Sequence, residues 1–277
     1  VKVSVAQRAG VCFGVKRALD IVETAAREKH SVTTLGPLIH NPQVVHKLEE
    51  IGVRAAKSLD EISDGAVVMP SHGVTRETLR IAESRGLEII DATCPFVANV
   101  HRRVEALAAD GYRVVVVGDP NHSEVKAIVS AAGPGAVVVS SVDDADAIDW
   151  TDARVGIVSQ TTQTPERFGE VVGFISARAR EVNACNTICY ATRDRQNAAR
   201  DLAPTVDAIF VVGGRNSANT NRLAEICESC GAPTYHIETA DEIDAEWVKG
   251  MSHVGLTAGA STPQWIIDEV KRCLELL

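Results

Sequence analysis

Aromatic residues make up only 4% of the 277-residue chain, and no run of Lys or Arg marks a basic stripe. No apolar stretch approaches the ~20 residues that a membrane helix needs, and the opening VKVSVAQRAG lacks the basic-then-apolar pattern of a signal peptide. These absences argue against a membrane span or secretion and predict a cytoplasmic protein. The missing basic stripe, together with a net charge of -9, argues against a nucleic-acid binder. There is also no P-loop, no GxGxxG after a strand and no long Pro/Gly/Ser linker. What is present is ordinary for a globular protein: 45% hydrophobic and 23% charged residues, with Ala, Val and Ile to build the core. Seven cysteines, an odd number spread thinly, fit a reducing compartment in which thiols bind metal, react or lie buried.

Short Val/Ile-rich runs alternate with helix-period segments, the pattern of α/β architecture with mostly parallel strands. Strands are expected at Val1–Ala6, Val32–Leu35, Ala66–Met69, Leu87–Ile90, Arg113–Val117, Ala136–Val139, Arg154–Val158, Ala208–Val212, Thr234–Ile237 and His253–Thr257. Helices are expected over Val15–Ala26, Phe96–Ala109 and Tyr190–Leu202. Asn41-Pro42, Thr164-Pro165 and Thr262-Pro263 each read as a capping side chain before a proline in the first helical position, and Cys94-Pro95 has the same form. Cys12, Cys94 and Cys189 lie 82 and 95 residues apart, each just before a helix. That rhythm predicts three α/β domains of similar size, residues 1–94, 95–189 and 190–277, with the N-terminal strand able to join the third.

Ligands of parallel sheets bind beyond the carboxyl ends of strands, where the next helix presents unpaired N–H groups. The polar residues expected there are His40, His72, His122, Glu124, Thr161, Thr162, Ser217, Asn219 and Ser261. One such residue is ordinarily a cap or a packed side chain, but nine on one edge of the strands suit a phosphate or diphosphate without a Lys/Arg cluster. Three isolated cysteines fit a cluster assembled between domains better than tetrahedral zinc, which wants four ligands and close pairs. Cys227 and Cys230 have CxxC spacing late in a helix with no second pair nearby, and read as structural. Cys185 and Cys273 have no functional context.

Nine segments in order carry a resemblance across essentially the whole chain: AGVCFGVKRAL, GPLIHNPQVV, SHGV, DATCPFV, NHSEV, SQTT, NTICYATRDRQ, RNSANTNRL and TAGASTP. The chain resembles the 4-hydroxy-3-methylbut-2-enyl diphosphate reductases, the LytB/IspH family at the end of the methylerythritol phosphate route to isoprenoids. The resemblance implies three α/β domains in a trefoil around a 4Fe-4S cluster held by Cys12, Cys94 and Cys189. It implies diphosphate contacts from His40, His72, Ser217, Asn219 and Ser261, with His122 on the same side and Thr162 in the substrate site. Glu124 would supply protons, and Thr161 would position the substrate hydroxyl or relay the proton. Partners would be a small allylic diphosphate and a one-electron donor such as ferredoxin or flavodoxin, with no nucleic acid and no membrane, in a monomer or weak dimer. Asn121, Ser123 and Ala218 depart from the usual pattern, in which Gly and Pro flank the histidine and a second serine stands in the place of Ala218. Two rival readings are a non-redox iron-sulfur dehydratase and a non-catalytic Cys/His metal-binding module.

Overall fold

The computed structural model describes residues 1–29 and 31–277. Twelve strands and ten α-helices among them form three sheets of four strands, every pairing parallel. One sheet takes β2 (Val32–Leu35), β3 (Val53–Ala56), β4 (Ala66–Met69) and β5 (Glu88–Asp91) in the order β3-β2-β4-β5. The next repeats that order as β7-β6-β8-β9, using β6 (Arg113–Val117), β7 (Val137–Val139), β8 (Arg154–Ser159) and β9 (Glu181–Ala184). The third is β11-β10-β12-β1, from β10 (Ala208–Val212), β11 (Thr234–Ile237), β12 (His253–Ala258) and β1 (Lys2–Val5). Its fourth strand therefore comes from the chain's N-terminus, with Lys2 opposite His253. By contact density the chain divides into two compact units, one of residues 1–16, 39–46 and 190–277, the other of residues 17–38 and 47–189. The first holds one sheet and the second holds two.

β-branched runs make the central strands because both sheet faces are covered, as parallel sheets require. In β10, Phe210 and Val212 pack on one face against Ile266, Ile267 and Val270 of α10 (Gln264–Leu276). Ile209 and Val211 face the other way, against Leu223 and Cys227 of α9 (Ala218–Ser229) and Ala199 of α8 (Tyr190–Leu202). Cys227 is thus a core residue, and burial pushes its thiol up to about 12. β6 repeats the alternation: Val114 and Val116 meet Val100, Val104 and Leu107 of α4 (Pro95–Ala109), while Val115 and Val117 meet Trp150, Phe168 and Val171.

Phe210 is fully buried beside the stacked Tyr235–Trp247 pair, with ring centroids 5.2 Å from Tyr235 and 6.4 Å from Trp247. Truncating a buried aromatic loses both transfer energy and packing. Phe210→Ala is expected to destabilise the fold by about 3–5 kcal/mol, read as an earlier transition in urea unfolding.

Three expectations need correction. Strands β3 and β9 were not anticipated: VRAA and EVNA are four-residue edge segments, too short for a period-2 signal. The strand expected at Leu87–Ile90 runs one residue later. Thr262 is not a helix cap, since Pro263 occupies that position and the Thr262 hydroxyl instead donates to the Val212 carbonyl at 2.9 Å, tying the loop to β10. Asn41 and Thr164 do cap, accepting from the N–H groups of Val44 and Arg167. No helix among the described residues is long and apolar enough to cross a membrane.

Candidate active site

Counting β1 as the last strand of its sheet, the strand order of each sheet reverses between the first and third strands, β2/β4, β6/β8 and β10/β12, and it is beyond such switch points that parallel sheets bind ligands. Every candidate donor falls there. His40, His122 and Ser217 each stand five residues beyond the first strand of their sheet. His72, Thr162 and Ser261 each stand three beyond the third strand. Glu124 and Asn219 take the same place, the second residue of the helices α5 (Ser123–Ala132) and α9. The thiols follow the fourth strands: Cys94 after β5, Cys189 after β9 and Cys12 after β1.

The three thiol positions share a backbone anchor. The N–H of Cys94 donates to the Ser71 carbonyl at 2.9 Å, that of Cys189 to Thr161 at 3.1 Å and that of Cys12 to Ala260 at 3.1 Å. Each acceptor is the second residue past the third strand of the same sheet. All three thiols are half-buried, none is in a disulfide, and each directly precedes a helix, with α1 (Phe13–Glu28) following Cys12. Cys12 Sγ accepts from the Val15 N–H at 3.4 Å, while the Cys94 sulfur makes no capping bond. Cys12 belongs to one compact unit and Cys94 and Cys189 to the other. Among the described residues no three His, Cys, Asp or Glu side chains stand at the spacing of a metal site.

Within the larger unit, Glu124 is 3% exposed. The Thr161 N–H donates to Glu124 Oε1 at 2.6 Å and the Thr161 hydroxyl to Oε2 at 2.9 Å. Burial nevertheless wins and raises the Glu124 carboxyl to about 7, although both Thr161 bonds favour the ion. His122 caps the same helix through Nδ1, which accepts from the Glu124 N–H at 3.1 Å, so the neutral ring carries its proton on Nε2 and presents a donor. The His72 ring stands edge-on to His122, centroids 6.5 Å apart. Thr162 is half-buried beside Thr161.

Gln160 was missed by sequence reasoning. It is buried, its Oε1 accepts from the Asp119 N–H at 3.1 Å, and its Nε2 has no partner among the described residues. It sits in the SQTT segment, where the neighbouring hydroxyls drew attention away from it.

The smaller unit gathers His40, Ser217, Asn219 and Ser261. The Ser261 hydroxyl donates to the His40 carbonyl at 3.1 Å. At Gly214 a Cβ would come within 2.8 Å of that same carbonyl, so the loop holding Ser217 approaches His40 as only glycine allows. Burial lowers the pKa of His40, which keeps the ring neutral. Ser217 caps α9 by accepting from the Thr220 N–H at 3.3 Å. Asn219 is 5% exposed, and its Nδ2 has no partner among the described residues. A buried donor left in this state costs free energy unless a ligand accepts from it.

The fold and these side chains define a class: a three-sheet parallel α/β protein whose switch-point loops present neutral donors and whose fourth strands deliver thiols. The chain belongs to the LytB protein family, which it matches over residues 3–275. The 4-hydroxy-3-methylbut-2-enyl diphosphate reductase of Pelobacter propionicus is 50% identical over 269 residues, 97% of this chain and 96% of that one. That of Geotalea uraniireducens is 48% identical, covering 99% and 97%. A solved E-1-hydroxy-2-methyl-but-2-enyl-4-diphosphate reductase from Plasmodium falciparum superposes with a TM-score of 0.93 at 27% identity, covering all of this chain and 87% of that one. A second solved structure, of (E)-4-hydroxy-3-methyl-but-2-enyl diphosphate reductase, the terminal enzyme of the non-mevalonate pathway, is 44% identical with a TM-score of 0.72 and full coverage of both chains.

Proposed function

We propose that the chain reduces (E)-4-hydroxy-3-methylbut-2-enyl diphosphate to isopentenyl and dimethylallyl diphosphates, the last step of the methylerythritol phosphate pathway. The allylic C–O bond breaks, two electrons and two protons are taken up, and the hydroxyl leaves as water. The observation that carries this reading is the buried Glu124 carboxyl held on Thr161, a proton source in a family whose relatives are named for this substrate.

The donor set fits a 4Fe-4S cluster. Three thiols at helix N-termini, each pinned through its N–H at the same place in its sheet, lack the fourth ligand and the close pairing of a structural zinc site and would suit a cluster assembled between separate strand ends. Cys12, Cys94 and Cys189 would hold it, one from each of three α/β domains bounded at residues 94 and 189, apart from the N-terminal strand. When bound, the cluster supplies one-electron chemistry and Lewis acidity at the allylic oxygen.

The chain's own residues do the rest. His40, Ser217, Asn219 and Ser261, with His72, His122 and Thr162, donate to the diphosphate, and the helix ends behind them supply partial positive charge. Glu124, protonated through burial, passes its proton to the leaving hydroxyl, directly or through the Thr161 hydroxyl bonded to it. Electrons come singly from a ferredoxin or flavodoxin, in a cytoplasmic monomer or weak dimer. The dehydratase and metal-module rivals give no account of a family whose relatives are named reductases.

Anaerobic purification, iron and sulfide analysis, and turnover with reduced methyl viologen test the reading. Close to four irons per chain and formation of the two five-carbon diphosphates are expected; stoichiometric zinc without sulfide overturns it. Because the histidines act in binding, His40→Asn and His72→Asn are expected to raise KM about tenfold or more per lost charge-assisted bond, with kcat nearly unchanged. Unaltered KM with a large loss in kcat places that histidine in the chemical step instead.

A further inference from the structure

The first helical residue behind two of the three thiols is an exposed aromatic. Phe13 opens α1 after Cys12 and is 57% exposed; Tyr190 opens α8 after Cys189 and is 46% exposed. Aromatic residues are only 4% of the chain, and these two exposed rings open helices that start within one compact unit. Three positions further on, and hence on the same helix face, each has an exposed cation: Lys16 in α1 and Arg193 in α8.

Helix stability does not account for those cations. Neither α1 nor α8 has an acidic residue in its first turn, although the positive end of the helix dipole favours acids and disfavours Lys and Arg there. Neither Lys16 nor Arg193 makes an ion pair among the described residues. With a chain charge of -9, the two form a local reversal of sign. The starts of α1 and α8 are tied together in one compact unit, since Arg195 of α8 donates to the Gly10 carbonyl just ahead of Cys12. Asp194, next to Arg193, lines a groove with Val5, Arg8 and Asp201, and Asp20, one turn beyond Lys16, forms no ion pair with it among the described residues.

We propose that Phe13, Lys16, Tyr190 and Arg193 form the docking face for an acidic one-electron carrier protein. The proposal rests on the reductase reading above, in which two electrons must arrive from outside. A carrier seated on these rings stands one residue from Cys12 and one from Cys189, and its acidic rim meets two cations that have no acidic partner among the described residues. Two reduced carriers dock in turn, each oxidised by one electron, and together they supply the pair consumed in C–O cleavage.

The test compares two reductants on the cluster-loaded enzyme: reduced methyl viologen, which needs no docking face, and an acidic reduced ferredoxin. Lys16→Glu combined with Arg193→Glu is expected to raise the KM for ferredoxin about tenfold or more and to flatten its dependence on salt. With methyl viologen, kcat and the substrate KM stay at wild-type values. Fluorescently labelled ferredoxin at low ionic strength is expected to bind the variant at least about tenfold more weakly, a readout independent of turnover. Lys249→Glu, which alters a cation that pairs with Glu246 elsewhere in the same unit, is expected to leave both measures unchanged. Unchanged ferredoxin binding and KM in the double variant overturn the docking face while the reductase reading stands. Equal losses with both reductants also overturn it, because the residues then act on the site itself. Wild-type enzyme that turns over with neither reductant overturns the reductase reading and the docking face with it.

Discussion

Serine at Cys12, Cys94 or Cys189 is expected to remove the visible absorbance of the reconstituted protein and nearly all of its iron, and turnover with it. A serine hydroxyl binds iron far less readily than a thiolate and stays protonated near neutral pH, so a three-thiol site loses a ligand it cannot replace. The fold itself should survive, because what positions each of these residues is its backbone N–H, bonded to Ser71, Thr161 or Ala260. Circular dichroism of the apo-proteins should therefore match wild type. The other cysteines give the contrast. Cys227 packs in the core behind β10 and its thiol is pushed up to about 12, so it is neither exposed nor ionised enough to hold metal. Cys230 caps the end of the same helix in solvent. Cys227→Ala and Cys230→Ser should keep iron content and spectrum, scored per folded molecule because the first leaves a small cavity. Loss of the spectrum in either, as complete as in Cys12→Ser, refutes the ligand assignment.

The central strands were legible because RVVVV and AIFVV bury both faces, which leaves an apolar run with no competing helical period. The candidate residues were legible for a related reason: a polar residue a few positions beyond such a run sits at a strand's carboxyl end whatever the strand order. The order itself was hidden. The N-terminal strand was expected to be able to join the third domain, but nothing local in VKVSV sets the register that places Lys2 opposite His253, since parallel partners are chosen by the far side of the fold. The edge strands VRAA and EVNA were hidden because the partner's backbone, more than their own side chains, makes them strands. The thiol anchors were hidden too. A bond from the Cys94 N–H to the Ser71 carbonyl depends on where two loops run, and any residue could serve as its acceptor. Gln160 shows the same limit within a motif that was read: its use in holding Asp119 with one amide atom while the other stays open is a matter of geometry.

Glu124→Gln is expected to keep the cluster and bind substrate yet turn over ~10² to 10⁴ times more slowly, the usual loss when a general acid is removed. Hydroxide is a poor leaving group, so the proton must arrive as the C–O bond breaks. Glutamine keeps the shape, with its oxygen accepting from the Thr161 N–H and its NH2 donating to the Thr161 hydroxyl, but it has no acidic proton to give. A carboxyl in the second position of a helix is ordinarily ionised, because the helix dipole favours the anion there. At 3% exposure the loss of solvation outweighs the two Thr161 bonds, which is why the group is raised to about 7. The sign of the pH dependence follows. The acid form dominates below about pH 6, and the rate should fall roughly tenfold per unit once the pH passes about 7. The Gln variant has no such group, and its residual rate should be flat over the same range. Stability follows in the same direction: the unfolded chain ionises this carboxyl near the ordinary value of 4.5, the folded one near 7, so the fold is most favoured below the first value and loses that advantage as pH rises to the second. Thr161→Val removes the hydroxyl that links acid to substrate but leaves the backbone N–H on Oε1, so a relay through Thr161 predicts a loss approaching that of Glu124→Gln. Near-wild-type kcat in Glu124→Gln with full cluster content removes the carboxyl from the proton path. A pH profile unchanged by Glu124→Gln does the same, since the titration must then belong to another group.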